Sequence, residues 1–366
     1  MARNGEDWVL RLAAEDEGER ALAVEELGEQ LPPGAVELLV ERLCSDSSYF
    51  VREVALNTLK FLRGEEVIEK TVPLLSSREA MVRNAAIEIL SEQGEAALPW
   101  MESLLAAADK DLRKFALDIL FRLDTDKKLP LLARGLDDPD ANNRITAVEY
   151  LGRLEAYAFA PRINQLFCSE SHPFLRCVCL ETLAAIGNEE STQLVNRFYN
   201  SGAALTDLET FSYLKFVARR GNAGSLPLII SLMKQKGNMM AKEIINALTG
   251  ILERWEGDLL PAELLSAVSD FLRGNLNDIN SYELLILLSR FKNAEVFGLL
   301  ARYLSLNNKL LCLGAVEGLG RHGNREALLL LLSLKAQAEE KAVAPGGEEY
   351  EELLEALEEA IHILQG

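Results

Sequence analysis

Histidine is nearly absent from this chain: three in 366 residues, His172, His322 and His362, followed by Pro173, Gly323 and Ile363. Histidine-rich metal centres and most imidazole acid–base sites are therefore excluded at the outset. Long apolar runs are missing too, the longest strongly apolar stretch being residues 327–334, far too short for a bilayer. Residues 1–12, MARNGEDWVLRL, carry no apolar segment or small-residue cleavage site, so a secretory signal is not expected. Five cysteines, Cys44, Cys168, Cys177, Cys179 and Cys312, make an odd number with no disulfide-like spacing. A reducing compartment, the cytoplasm, is the expectation. No glycine-rich phosphate loop or Ser-His-Asp set is present. Excess positive charge is lacking as well: the formal net charge is -19, which repels polyanions, so neither nucleic acid nor an anionic membrane is an expected partner. The nearest basic groups, Arg219–Arg220 and Lys234 with Lys236, suit helix C-termini rather than a basic patch.

What the chain does have is a period. Arg20, Arg52, Arg83, Arg113, Arg144 and Arg176 follow one another at gaps of 32, 31, 30, 31 and 32 residues. Three positions after each arginine stand Ala23, Ala55, Ala86, Ala116, Ala147 and Cys179, and seven positions after stand Leu27, Leu59, Leu90, Leu120, Leu151 and Leu183. Offsets of three, four and seven lie on one helical face, and the small residue lets a neighbouring helix approach. Four positions before each arginine come Asp16, Ser48, Glu79, Asp109, Asp140 and His172, mostly N-cap types. Shorter apolar segments alternate with these helices, at residues 35–43, 67–75, 96–105, 129–136 and 158–167, and Pro33, Pro73, Pro99, Pro130 and Pro161 fall at or near their starts. Each unit is an antiparallel helix pair of about thirty residues.

The runs Asp46…Val51-Arg52…Ala55…Leu59, Val82-Arg83…Ala86…Leu90 and Asp138…Arg144…Ala147…Leu151 resemble HEAT repeats, in particular the short bacterial type found in phycobilisome-lyase-like proteins. Clear over residues 6–190, the resemblance continues beyond by periodicity. It departs at the aspartate, which is replaced by Ala14, Ser77, Ala107 and Glu170. After Gly187 the arginine is lost while helical segments continue, at 205–218, 226–233, 241–255, 264–272, 282–291 and 296–304; Ala315-Val316-Glu317…Leu319-Gly320-Arg321 then echoes Ala147-Val148-Glu149…Leu151-Gly152-Arg153. The expected fold is all-α, an α-α superhelix of the ARM/HEAT solenoid type with about ten antiparallel helix pairs. Residues 1–340 form the solenoid, 341–347 (KAVAPGG) a linker, and 348–366 an amphipathic capping helix with an acidic back.

Register separates structural from functional positions. The six arginines lie beside the apolar stripe and are expected to reach inward or to the turns as a structural ladder. Five positions on, Glu25, Asn57, Glu88, Asp118, Glu149 and Glu181 turn away from the core and form an acidic row. The resemblance implies that this row faces a concave groove, with Phe121, Ile145, Cys177 and Ala184 as less polar neighbours. His172 with Cys168, Cys177 and Cys179 has zinc-like composition at poor spacing, so no metal and no cofactor is expected. HEAT-like di-iron hydroxylases carry repeated His-Glu pairs and HEAT-like DNA glycosylases a basic aromatic groove, and neither pattern is present here. The resulting expectation is a non-enzymatic scaffold binding a protein or peptide with a basic or amphipathic segment through Glu25, Glu88, Asp118, Phe121, Ile145, Glu149 and Glu181. The alternative is an accessory subunit of a lyase or other modifying enzyme, implied by the resemblance alone.

Overall fold

A computed structural model describes residues 5–202, 205–237, 239–274, 277–343 and 347–366. Among these residues the chain is α-helix and short 3-10 turns, with no strand. It divides into two compact units, Met1–Thr182 and Leu183–Gly366.

The first unit contains α1 (Gly5–Leu12), α2 (Glu17–Gln30), α3 (Ala35–Ser45), α4 (Tyr49–Phe61), α5 (Glu65–Thr71), α6 (Ala80–Ser91), α7 (Leu98–Leu105), α8 (Lys110–Arg122), α9 (Leu129–Arg134), α10 (Ala141–Arg153), α11 (Ala160–Ser169) and most of α12 (Pro173–Ile186). Capping sets where the arginine helices begin: Asp16, Ser48, Asp109 and Asp140 accept hydrogen bonds from first-turn N–H groups of α2, α4, α8 and α10. Glu79 occupies the same place before α6 without a side-chain bond. Successive arginine helices stack on one another from α2 through α4, α6 and α8 to α10, while α3, α5, α7 and α9 lie in a second layer. The seam between them is the repeated alanine and leucine: Ala23, Ala55, Ala86, Ala116, Ala147, Leu27, Leu59, Leu90, Leu120 and Leu151 are all 0% exposed. Each such leucine contributes roughly 1.5–3 kcal/mol of hydrophobic stabilisation. Three of the partner segments, α5, α7 and α9, are shorter as α-helices than their apolar runs. α5 passes into a 3-10 turn at Val72–Ser76 containing Pro73, and α9 into one at Gly135–Asp137, because the tighter turn brings the end of the segment to the next N-cap.

The second unit contains α13 (Glu189–Asn200), α14 (Asp207–Arg220), α15 (Leu226–Lys236), α16 (Ala241–Glu253), α17 (Ala262–Arg273), α18 (Asp278–Leu288), α19 (Ala294–Arg302), α20 (Lys309–His322), α21 (Ala327–Ala342) and α22 (Glu351–Gln365). Here α14, α16, α18, α20 and α22 stack in sequence, and α15, α17 and α19 form the accompanying layer. The segments expected between 205 and 304 are helical, with ends shifted by a few residues. α13 is an addition: its sequence lacks the arginine register, yet Asn188 and Ser191 form a reciprocal capping box that fixes its start. α22 buries Leu353, Leu357 and Leu364 and packs on α20 and α21. Of the expected linker, residues 344–346 lie outside the described residues. No helix among the described residues is long and apolar enough to cross a membrane.

Candidate functional site

The arginines of the first unit are fixed by two kinds of acceptor. Arg113 donates Nε and Nη2 to the two oxygens of Asp138 at 2.7 and 2.9 Å, and Nη1 to the carbonyls of Ala107 and Ala108 at 2.9 and 3.0 Å. Arg20 repeats this with Asp46 at 3.0 and 2.9 Å and the carbonyls of Ala14 and Glu15. Arg144 donates Nε and Nη2 to a single oxygen of Glu170 at 3.1 and 2.8 Å, and Nη1 to the carbonyls of Asp138 and Pro139. The carboxylate belongs to the following unit, where it also accepts N–H groups at its own helix start, as Asp138 does from Asp140 at 2.8 Å. Burial works against an ionised Asp138, but bonds from Arg113, the Asp140 N–H and Asn143 hold its pKa below the ordinary value. The bond to Asp138 in turn raises that of Arg113.

The substitutions at the aspartate position thus acquire a consequence one unit upstream. Ser77 leaves Arg52 to reach Glu79 at 2.9 Å and the Leu43 carbonyl, and Ala107 leaves Arg83 with the carbonyls of Ser77 and Arg78. Arg176 donates to the Glu170 carbonyl at 2.9 Å. All six guanidiniums point to turns, not to the row five positions on.

In that row Glu25, Asn57, Glu149 and Glu181 are exposed, and Glu88 and Asp118 are half-buried. The middle members have local cations. Lys60 lies 2.9 Å from Glu88, Lys114 2.5 Å from Asp118, and Arg153 3.9 Å from Glu149. Tyr150 also donates its hydroxyl to Asp118 at 2.7 Å. Phe121 and Ile145 are half-buried beside the row, whereas Cys177 and Ala184 are buried and take no part in this face. Both lie close to the alanine–leucine stripe, where a short side chain disappears under the adjacent helices.

An aromatic arrangement that register alone did not reveal organises the middle of the face. The rings of Phe121 and Tyr150 stack at 4.2 Å with 17° between planes. The Arg153 guanidinium lies 4.7 Å from the Phe121 ring and the Lys114 ammonium 5.9 Å from that of Tyr150. Burial and the adjacent Asp118 push the Tyr150 pKa up, so the phenol remains a donor. The available signal was aromatic residues eight positions after Arg113 and six after Arg144.

Towards the N-terminus the face opens into a cavity of about 490 Å³ lined by Glu25, Gly28, Glu29, Val54, Asn57, Thr58, Phe61 and Leu62. A second, of about 500 Å³, lies between α4 and α6 and shares Asn57. Elsewhere Cys168 is exposed, Cys179 is buried, and no group of three metal-type side chains is assembled among the described residues.

Residues 5–91 match the family profile of HEAT repeats, so the chain contains HEAT repeats. Its fold is that of the karyopherin-type HEAT/ARM solenoids. Kap121p is similar at 13% identity and TM-score 0.57, over 98% of this chain and 45% of that one. Kap95p, solved with RanGDP, is similar at 13% and 0.61, over 98% and 57%. Kap121p bound to Pho4p gives 13% and 0.53, over 99% and 46%. The chain thus spans about half the length of these karyopherins. No curated protein matches the sequence.

Proposed function

We propose that this chain is a non-enzymatic HEAT-repeat scaffold that binds a protein or peptide, through a basic or amphipathic segment, on the acidic face of its arginine helices, the side that such arrays make concave. The observation that carries this reading is the row itself. Carboxylates recur at one register position on α2, α6, α8, α10 and α12, with Asn57 in that place on α4, while the ladder arginines turn away into the joints. Complementary charge on a segment lying across the row steers encounter and sets register. The likeness to Kap121p, solved in complex with Pho4p, supports a polypeptide occupant. In this reading residues 1–340 supply the array and 348–366 cap it, supported by the leucines that α22 buries against α20 and α21.

Reversal of Glu25, Glu88, Glu149 and Glu181 to lysine tests the proposal. Salt-sensitive capture of polypeptides by the wild-type protein should be lost in the variant, with helicity unchanged by circular dichroism. Recovery of the same cross-linked partners by the reversed protein would remove the acidic face from consideration.

A further inference from the structure

The arginine helices present the same register positions to one another along the first unit, so one interface shows what another lacks. Between α8 and α10, the position eight after Arg113 is Phe121 and the position six after Arg144 is Tyr150, and their stacked rings fill the gap. Asp118, at the row position of α8, is met there by Lys114 and the Tyr150 hydroxyl. Between α2 and α4 the corresponding residues are Gly28 and Thr58. A Cβ on Gly28 would stand 2.1 Å from the Thr58 methyl, so the helices meet closely through these two small residues and no ring spans the interface. Beside that contact lies the 490 Å³ cavity. Glu25, in the place of Asp118, has no cationic partner among the described residues, and nor does Glu29 one turn on. Phe61, in the place of Arg153, is 84% exposed at the rim, with Val54 and Leu62 also lining the cavity.

We infer that the cavity between α2 and α4 is the anchoring pocket of the scaffold, and that it takes from a partner polypeptide an aromatic side chain flanked by arginine or lysine. This rests on the proposed function and gives it a location and an occupant. The partner's ring replaces the Phe121–Tyr150 stack, lying over Gly28 and Thr58 against Phe61, while its cation supplies to Glu25 and Glu29 what Lys114 supplies to Asp118. Middle positions of the row, already paired with Lys60, Lys114 and Arg153, offer less to an incoming cation, because their neutralisation exchanges one ion pair for another.

The probe is a fluorescein-labelled pentapeptide, Gly-Arg-Phe-Arg-Gly, titrated by fluorescence anisotropy, with Gly-Arg-Ala-Arg-Gly and Gly-Glu-Phe-Glu-Gly as controls. Saturable one-to-one binding of the first is expected, with tenfold or greater weakening for either control. Glu25→Lys with Glu29→Lys should weaken it at least tenfold, and Phe61→Ala by roughly fivefold, from a lost aromatic contact of about 1 kcal/mol. All three substitutions are at exposed positions, and circular dichroism checks the fold. Benzoylphenylalanine in place of the peptide phenylalanine should cross-link to α2 or α4. Equal binding of the alanine peptide, or binding indifferent to Phe61→Ala, overturns the pocket. Loss on reversing Glu149 and Glu181 but not Glu25 and Glu29 leaves the acidic face standing and overturns its location here; indifference to both reversals removes the proposed function as well.

Discussion

The two units tie successive helices together with arginine in opposite ways. In the first, Arg20, Arg113 and Arg144 near helix starts reach carboxylates of the following repeat within the same unit. In the second, Arg220, Arg254 and Arg290 near helix ends reach back to carbonyls at the end of the preceding stacked helix. Arg220 donates to Ala184 and Ala185, Arg254 to Gly221, Val217 and Ala218, and Arg290 to Leu252 and Trp255. The first arrangement pairs full charges in a half-dry site; the second sets a cation against the negative end of a helix dipole. Titration follows the difference: Asp138 raises the Arg113 pKa, whereas burial among neutral carbonyls lowers that of Arg254. One repeat architecture can thus be stitched at either end of its helices, and the carboxylate version gives up more when broken.

The largest effect should come from Arg113→Ala. It leaves Asp138, 8% exposed, without its counter-ion and should cost about 3–5 kcal/mol in chemical denaturation. Arg83→Ala, which loses only carbonyl contacts, should cost about 1 kcal/mol. Equal losses would show that the carboxylate adds nothing. Next comes Gly250→Ala in the second unit. A Cβ there would stand 1.9 Å from the Ala218 carbonyl oxygen, a backbone atom of the adjacent helix that cannot rotate away. A loss of about 3 kcal/mol is expected, against about 1 kcal/mol for Gly28→Ala, where a threonine side chain can yield. Arg254→Ala should cost only about 1 kcal/mol, since it removes hydrogen bonds to neutral carbonyls and leaves no carboxylate without a counter-ion; a loss as large as that of Arg113→Ala would erase the distinction between the two arrangements.

The smallest effect separates the units by pH. Asp46, Asp138 and Glu170 have depressed pKa values, each held down by an arginine and backbone N–H groups against the opposing effect of burial. Their contribution is therefore complete above the unfolded values of about 4 and is lost as pH falls through the folded ones. His322, in the second unit, is buried with neither ring nitrogen in a well-formed hydrogen bond. Burial lowers its pKa, against a weak Asn293 backbone contact, and Lys292 adds to the fall. The unfolded state takes up that proton first below about pH 6.5, so stability falls with pH from there. Hydrogen exchange measured between pH 7 and 5 should show α20 losing protection while α8 and α10 keep theirs, and His322→Leu should abolish the step. Protection of α20 unchanged down to pH 5 would contradict this assignment.

Much of the first unit was legible in its residues, because a helix that buries one stripe must repeat its small and large positions at fixed offsets. The arginine, alanine and leucine rows needed no coordinates. The carboxylate partner was harder to read. Asp46, Asp138 and Glu170 stand six positions before the arginine of their own unit but bond that of the preceding one, a relation across 25 or 26 residues that no helical period encodes. In the second unit Arg220, Arg254 and Arg290 recur at gaps of 34 and 36. Their register relative to the leucines differs from that of the first-unit arginines, so no shared offset marks them as a series.

The acidic row is the clearest division between the two sources. By itself the sequence determined that Glu25, Glu88, Asp118, Glu149 and Glu181 share a face, since five positions of a 3.6-residue helix fix an angle from the core whatever the neighbours are. Lys114 and Arg153 stand four positions from Asp118 and Glu149 on the same helices, and only the tertiary structure decided what else meets the row. The cations and rings that meet Asp118 and Glu88 include Tyr150 and Lys60, from adjacent helices of the stack, and the space beside Glu25 is open because Gly28 and Thr58, packed closely on each other, carry no ring or cation into it. Local periodicity sets the direction of a side chain; what it meets there depends on how closely the next helix packs.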